Sequence, residues 1–183
     1  MAQVKSELRE YVESFAIAIA LALFIILFVA QSFLVQGSSM EPSLYDGERL
    51  LVDKITYRFR EPRRGEVVVF GYPKDPRRKF IKRVIGLPGD VIEIRDRTLH
   101  VNGIPIVEDY IRGPMYQPFG PYTVPEGTVW VLGDNRNNSE DSRFADVGPV
   151  PFERLVGRAL FVYWPPSKGG FIEVPAALAE LER

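Results

Sequence analysis

A run from Phe15 to Val35, apolar apart from Gln31 and Ser32, constrains this chain more than any other segment. A helix rising ~1.5 Å per residue needs about 20 such residues to cross a ~30 Å hydrocarbon core. The run has that length, so the sequence predicts a membrane-spanning helix over 15–35, preceded by a polar segment at 1–14 and followed by one unit over 36–183. The rival reading is a cleaved leader, because Ala30, Gln31 and Ser32 form a small-x-small triplet of the kind found at cleavage sites. Two features oppose it. The stretch exceeds the usual ~7–15 residue core of a leader, and Glu7, Glu10 and Glu13 accompany Lys5 and Arg9 ahead of it. Charge leaves the orientation open, since Lys5, Arg9 and the amino terminus face Arg49 and Lys54 on the other flank, a near tie under the positive-inside rule.

Beyond the anchor the pattern changes to short β-rich stretches punctuated by glycine and proline. Residues 49–54, 66–70, 79–85, 91–94, 98–101, 104–107, 128–132 and 159–164 read as strands rich in Val, Ile and aromatics. Residues 113–125, dense in Gly and Pro, read as a long surface loop, and 175–183 as a short polar helix. The fold class is therefore mainly β. With 183 residues, 46% of them hydrophobic, and a formal charge of −1, the chain can build one core beside its anchor and lacks the bulk basic charge that nucleic acid draws. Two stretches, Arg58 to Arg64 and Lys74 to Lys79, are locally basic and read as solvated loops or as surfaces against anionic lipid.

Composition also narrows the chemistry. The absence of cysteine excludes thiol catalysis, disulfides and thiolate zinc sites. The single histidine, His100, would have to serve alone in any Ser-His-Asp scheme, yet it lies just ahead of Asn102-Gly103, a pair that favours a tight hairpin turn. A serine nucleophile would then need a carboxylate or a lysine as its base. Ser39 falls a few residues past the expected membrane exit, behind Gly37, and by itself also reads as a turn residue. Lys82 sits where strand alternation sets it between Phe80 and Val84 on one face, a setting that favours the neutral amine, although a lysine snorkelling off the sheet gives the same pattern. A free lysine titrates near ~10.4, so a working base needs several units of depression, each worth ~1.4 kcal/mol.

The third segment, Gly133 to Arg143, packs donors and acceptors into one turn-rich stretch. Calcium is a poor tenant, because Arg136 and Arg143 would intrude among oxygen ligands. Internal Asp-Arg pairing, with a hydroxyl left to orient the lysine, and a self-satisfied structural loop both remain.

Taken in order, Ser39-Met40-Glu41-Pro42, the stretch from Arg64 to Phe70, the stretch from Lys82 to Asp90 and the Gly133 to Arg143 loop resemble bacterial type I signal peptidase, over roughly Val35 to Trp164. The resemblance implies a signal-peptidase-like all-β catalytic domain after one transmembrane helix, in the compact single-anchor form. It also implies cleavage of exported preproteins after small residues, without metal or other cofactor. By position, Ser39 resembles the nucleophile, Lys82 the general base, and Ser139 the hydroxyl that holds the base. Arg83 with Asp134, and Asp141 with Arg143, resemble supporting ion pairs. Some relatives carry a serine donor two places before the nucleophile; Gly37 stands there here, leaving the Ser39 backbone N–H as the identified oxyanion donor. The implied partners are signal peptides, the lipid bilayer and the secretion translocase. The implied setting is the plasma membrane, amino terminus cytoplasmic and catalytic domain on the outer face. A Ser-Lys self-cleaving repressor would need a DNA-binding segment where this chain has its apolar run. The rival from another class is an inactive membrane-tethered β module that binds peptides or lipids.

Overall fold

The computed structural model describes residues 2–24 and 29–182. Helix α1, Ala2–Phe24, is built from strong helix formers, and every described side chain from Arg9 to Phe24 is exposed. The remaining elements are β1 (Ala30–Leu34), β2 (Arg49–Asp53), α2 (Thr56–Phe59), β3 (Val67–Tyr72), β4 (Asp75–Gly86), β5 (Val91–Arg95), β6 (Thr98–Val101) and β7 (Ile104–Pro105). They are followed by β8 (Phe119–Thr123), β9 (Thr128–Leu132), β10 (Val150–Pro151), β11 (Leu155–Trp164), β12 (Gly170–Phe171) and α3 (Ala176–Ala179).

Eight strands form one sheet in the order β1-β2-β11-β3-β4-β9-β10, with β12 on β11, and four form a second, β7-β6-β5-β8. All strand pairs are antiparallel. Central strand β3 shows how the sequence sets the layers: every residue is buried, and alternation sends Val67 and Val69 into one core and Val68, Phe70 and Tyr72 into another. The second sheet closes a third core, where Ile92, Ile94, Leu99 and Val101 meet Ile85, Trp130 and Leu132. Asn102 and Gly103 both take positive φ and turn β6 into β7, and Asn102 anchors the turn by donating to Asp90 at 2.8 Å.

The anchor expected over 15–35 is not one helix. Ala30–Leu34 pairs along its whole length with β2, and Phe33 and Val35 pack with Leu50 and Val52. Apolar side chains suit a sheet interior as well as lipid, and hydrophobicity alone does not separate a buried strand from a helix. Residues 25–28 of the expected span lie outside the described residues. Among the described residues no helix is long and apolar enough to cross a membrane.

Two further expectations change. The 113–125 stretch contains β8, in which Gly120 brings two backbones together: a Cβ there would collide with the Ile92 carbonyl oxygen, so glycine here serves a close strand approach. The C-terminal helix is a single turn with Leu178 fully buried in the third core, not a polar tail.

Two open strand edges of the large sheet bear on the site. β1 ends the sheet, and β4 pairs with β9 only through Arg83, Val84 and Gly86, so the preceding part of β4 has one side unpaired. Both flank the same cleft.

Candidate active site

Ser39 follows Gly37 and Ser38 in the loop between β1 and β2. Gly37 has φ +84, and its N–H donates to the Asp46 carboxylate at 2.7 Å, which fixes the entry of this loop. Met40 and Leu44 then sink into the core below, so the serine is carried on a pinned turn. On the other side, the Asn135 N–H donates to the Ser39 carbonyl at 3.0 Å, and the Asn135 side chain donates to the Ser38 carbonyl, also at 3.0 Å. Asn138 donates to the Ser38 hydroxyl at 2.8 Å. The Gly133 to Arg143 loop thus holds the Ser39 turn by its backbone.

Lys82 Nζ lies 2.8 Å from Ser39 Oγ and 3.0 Å from the Ile81 carbonyl oxygen. The lysine is only 5% exposed. Burial pushes its pKa down to about 8, against the pull of the Asp141, Glu140 and Asp134 carboxylates, which favour the cation. Those carboxylates are partly answered elsewhere. Asp134 receives both Arg83 Nε and one terminal nitrogen, the latter at 2.7 Å, in a pair that is almost fully buried. Asp141 receives Arg143 Nε and a terminal nitrogen, each at 2.8 Å, and accepts from the Gly133 N–H at 3.1 Å.

Arg83 occupies the opposite face of β4 from Lys82 and uses its whole fork. It donates to the carbonyls of Gly65 at 2.8 Å and Glu173 at 3.1 Å, and to the Ser43 hydroxyl at 3.2 Å. One strand therefore delivers an amine of lowered pKa to one side and a locked cation to the other.

Ser139 stands close by, but its hydroxyl is buried and has no hydrogen-bond partner among the described residues, Lys82 included. Its seat depends on Gly133, where a Cβ would collide with Ser139 Oγ and lie 2.5 Å from the Ser39 carbonyl oxygen. Gly133→Ala is expected to push both serines aside and to lower kcat/KM about 100-fold, because ~1 Å of misplacement carries a penalty of that order. Steady-state kinetics beside a thermal melt would check it, with the rate falling far more than the stability.

Several contributors leave no mark in the sequence. Arg136 is fully buried and pairs with Glu108 while donating to the Tyr110 hydroxyl at 3.0 Å, which backs the loop from the connection between β7 and β8. Glu108 and Tyr110 lie in an irregular stretch without a motif, so no local signal singles them out. The hydrogen-bonding Asn135 and Asn138 are visible in sequence only as part of a polar-dense loop. His100 lies on β6, where its Nδ1 meets the Thr98 carbonyl and its Nε2 accepts from Arg95, and it takes no part in the site.

The cleft in front of Ser39 and Lys82 holds about 580 Å³. One wall is Phe33–Gln36, continuing from β1; the other is Arg77–Lys82, the unpaired length of β4. Among the described residues no cluster of histidine and carboxylate side chains could hold a metal ion.

Residues 8–164 match the model of the signal peptidase, peptidase S26, family. The protein named "Probable signal peptidase I-2" of Synechocystis sp. is 45% identical over 161 residues, covering 85% of this chain and 72% of that protein. Signal peptidase I of Leptolyngbya laminosa is 40% identical over 178 residues, covering 93% and 86% of the two chains. Signal peptidase I of Bacillus licheniformis is 40% identical over 172 residues, covering 88% and 91%. A match that runs through the serine turn, the lysine strand and the polar loop alike makes this chain a peptidase belonging to the signal peptidase, peptidase S26, family.

Proposed function

We propose that this chain is a membrane-anchored endopeptidase that removes signal peptides from exported preproteins, with Ser39 as nucleophile and Lys82 as general base. The observation that carries the reading is the 2.8 Å approach of a buried lysine amine, its pKa lowered toward neutrality, to a serine hydroxyl at the floor of a cleft.

The chemistry starts from that contact. Neutral Lys82 takes the Ser39 hydroxyl proton as Oγ bonds to the scissile carbonyl carbon. The resulting oxyanion is met by the Ser39 backbone N–H, which donates to no other group among the described residues. The Lys82 ammonium then returns its proton to the departing amine as the C–N bond breaks, leaving an ester on Ser39. Water gives a proton to Lys82 and its oxygen to the ester carbon, releasing the new carboxylate and restoring the serine. Ser139 is a positioning residue: a rotation of its unpaired hydroxyl toward the amine would fix the lysine once substrate closes the cleft.

The two free edges suit an extended peptide, whose backbone pairs with β1 on one side and β4 on the other. Apolar residues Phe33, Val35, Met40 and Ile81 beside the serine favour small apolar substrate side chains. Exposed apolar residues along α1, among them Phe15, Ile17, Leu21 and Phe24, favour placing that helix in lipid, the amino terminus cytoplasmic and the β domain outside, near the secretion translocase.

Purified wild type and Ser39→Ala, given a model preprotein in detergent with the cut read by mass spectrometry, test the assignment. Wild type is expected to cut after a small residue, and the variant to lose at least about 10²-fold in rate. Full activity in Ser39→Ala would overturn the nucleophile.

A further inference from the structure

The wall of the cleft formed by β4 changes character along its length. Residues opposite each other in a ladder share a face of the sheet. Val69 opposes Ile81 and Gly71 opposes Lys79, so Ile81 and Lys79 share one face of β4; Val68 opposes Lys82 and Phe70 opposes Phe80 on the other. Beside Ser39 the Ile81 face is apolar, since Ile81 packs with the cluster that holds Val35 and Met40. Two positions earlier it becomes basic at Lys79, and alternation brings Arg77 to it two positions before that; both cations are exposed and line the cleft. At ~3.3 Å per residue they stand about 7 and 13 Å along the strand from Ile81.

Lys79 has a defined seat. A Cβ at Gly71 would lie 3.6 Å from Lys79 Nζ, so the glycine leaves the amine room over the strand, and the amine donates to the Pro76 carbonyl at 2.6 Å. Among the described residues no carboxylate pairs with it. Arg77 turns to Asp75 through an exposed ion pair of the weak surface kind. Arg78 belongs to the other face, where its guanidinium stacks over Tyr72 and Phe80. Glu140, the one acid lining the cleft, also lies there: it accepts from the Tyr72 hydroxyl at 3.1 Å, and its charge acts on Lys82. The far end of the Ile81 face is therefore positive, with no acid of the cleft answering Lys79.

The direction of a bound peptide follows from the strands. Each neighbouring pair from β1 through β2, β11 and β3 to β4 is antiparallel, so β1 and β4 run the same way, both toward the Ser39–Lys82 pair. β1 comes from the side on which the chain leaves α1. In the proposed function the signal segment leaves the bilayer beside α1, so the residues ahead of the cut lie alongside β1 and β4 and run parallel to them. The first and third residues before the cut then share the apolar part of the Ile81 face. The fifth reaches Lys79 and the seventh Arg77.

We propose that Lys79, with Arg77 beyond it, is a specificity-determining residue that selects an acidic side chain at the fifth position ahead of the scissile bond. This rests on the proposed function and narrows its substrate class to peptides that are small and apolar next to the cut and acidic on the same face further back. A seated cation attracts a carboxylate at that position, is indifferent to an amide and repels a second cation.

Peptides spanning a preprotein cleavage site, with Glu, Gln or Lys at the fifth position ahead of the cut, would be given to the full chain in non-ionic detergent, which leaves no charged lipid to compete for the cations. The expected order of kcat/KM is Glu, then Gln, then Lys, with about threefold between Glu and Gln at low salt. The difference should sit in KM and shrink as salt rises. Lys79→Glu is expected to reverse the order and Lys79→Arg to keep it. Each comparison is between substrates of one variant, so the fraction of that variant that folds cancels. Equal rates for the three peptides, or a preference for Glu that survives Lys79→Glu, would overturn this site and leave the peptidase reading standing. A charge response confined to the mature side of the cut would overturn the direction and the assignment with it. Folded wild type that cleaves none of the peptides would overturn the proposed function and, with it, this site.

Discussion

Lys82→Met is expected to abolish cleavage and, at the same time, to make the protein more stable. The amine is the proposed base, and general-base assistance is worth ~10²–10⁴-fold, so turnover should fall at least into that range. Stability moves the other way for an electrostatic reason. Burial lowers the Lys82 pKa from 10.5 to about 8, which means that the folded state disfavours the cation. Below pH 8 the lysine is protonated whether the chain is folded or not, and folding carries the full penalty; at ~1.4 kcal/mol per unit this amounts to about 3 kcal/mol. Between pH 8 and 10.5 the folded form is increasingly neutral while the unfolded chain is still charged, and the penalty fades. Methionine keeps the stem without the charge. Denaturant titration at pH 7 should therefore show the variant more stable by about 2–3 kcal/mol, with the gap closing toward pH 10.5. Wild-type kcat/KM should rise about tenfold per unit up to roughly pH 8 and then level off. An acid limb that stays unchanged when Lys82 is replaced, or a variant that is less stable at pH 7, would remove the lysine from this role.

Asp134→Ala should cause the largest loss of stability of any single change near the site. Arg83 and Asp134 are 2% and 0% exposed, and the arginine binds two carbonyls and Ser43 besides its carboxylate. Removing the carboxylate leaves a buried cation without its counter-charge, which costs about 3–5 kcal/mol. Replacing both partners by apolar residues of similar volume, Arg83→Met with Asp134→Leu, should cost much less than the single change, because no charge is then left stranded. Chemical denaturation of the two variants measures the difference. Cleavage should still suffer in the double variant, since Ser43 and the adjoining Asn135 contact steady the Ser39 turn. A single variant as stable as wild type would mean that the pair is dispensable.

How much of the molecule is legible in its sequence depends on how local each signal is. Strand alternation around Lys82 and Arg83 places one residue on each face of β4, and the structure shows that division in their separate partners. The motif order places the serine turn, the lysine strand and the polar loop in one neighbourhood, and they do meet. The apolar run misleads at Ala30–Leu34 because the same residues satisfy a sheet edge once β2 is there to pair with them. The loop expected over 113–125 hides β8 because Gly120 and Pro121 weaken the strand pattern, although the glycine is there for the strand contact itself. Arg136 gives no hint of Glu108, nor Glu66 of Arg158, because such partners are set by tertiary approach between distant segments. The curl that brings β1 and β4 to the same cleft is likewise a property of the whole sheet, with no local sequence mark.

If substrate pairs with the two unpaired strand edges as proposed, those edges also decide which proteins are left alone. An edge binds through backbone N–H and C=O groups, and a segment already coiled into a helix or laid into its own sheet has committed those groups elsewhere. Sequence then matters little outside the residues that fill the cleft, while conformation matters greatly. With substrate bound as proposed, a folded neighbour should be spared even when it carries a small-x-small triplet, and cutting should be confined to chains that are still extended.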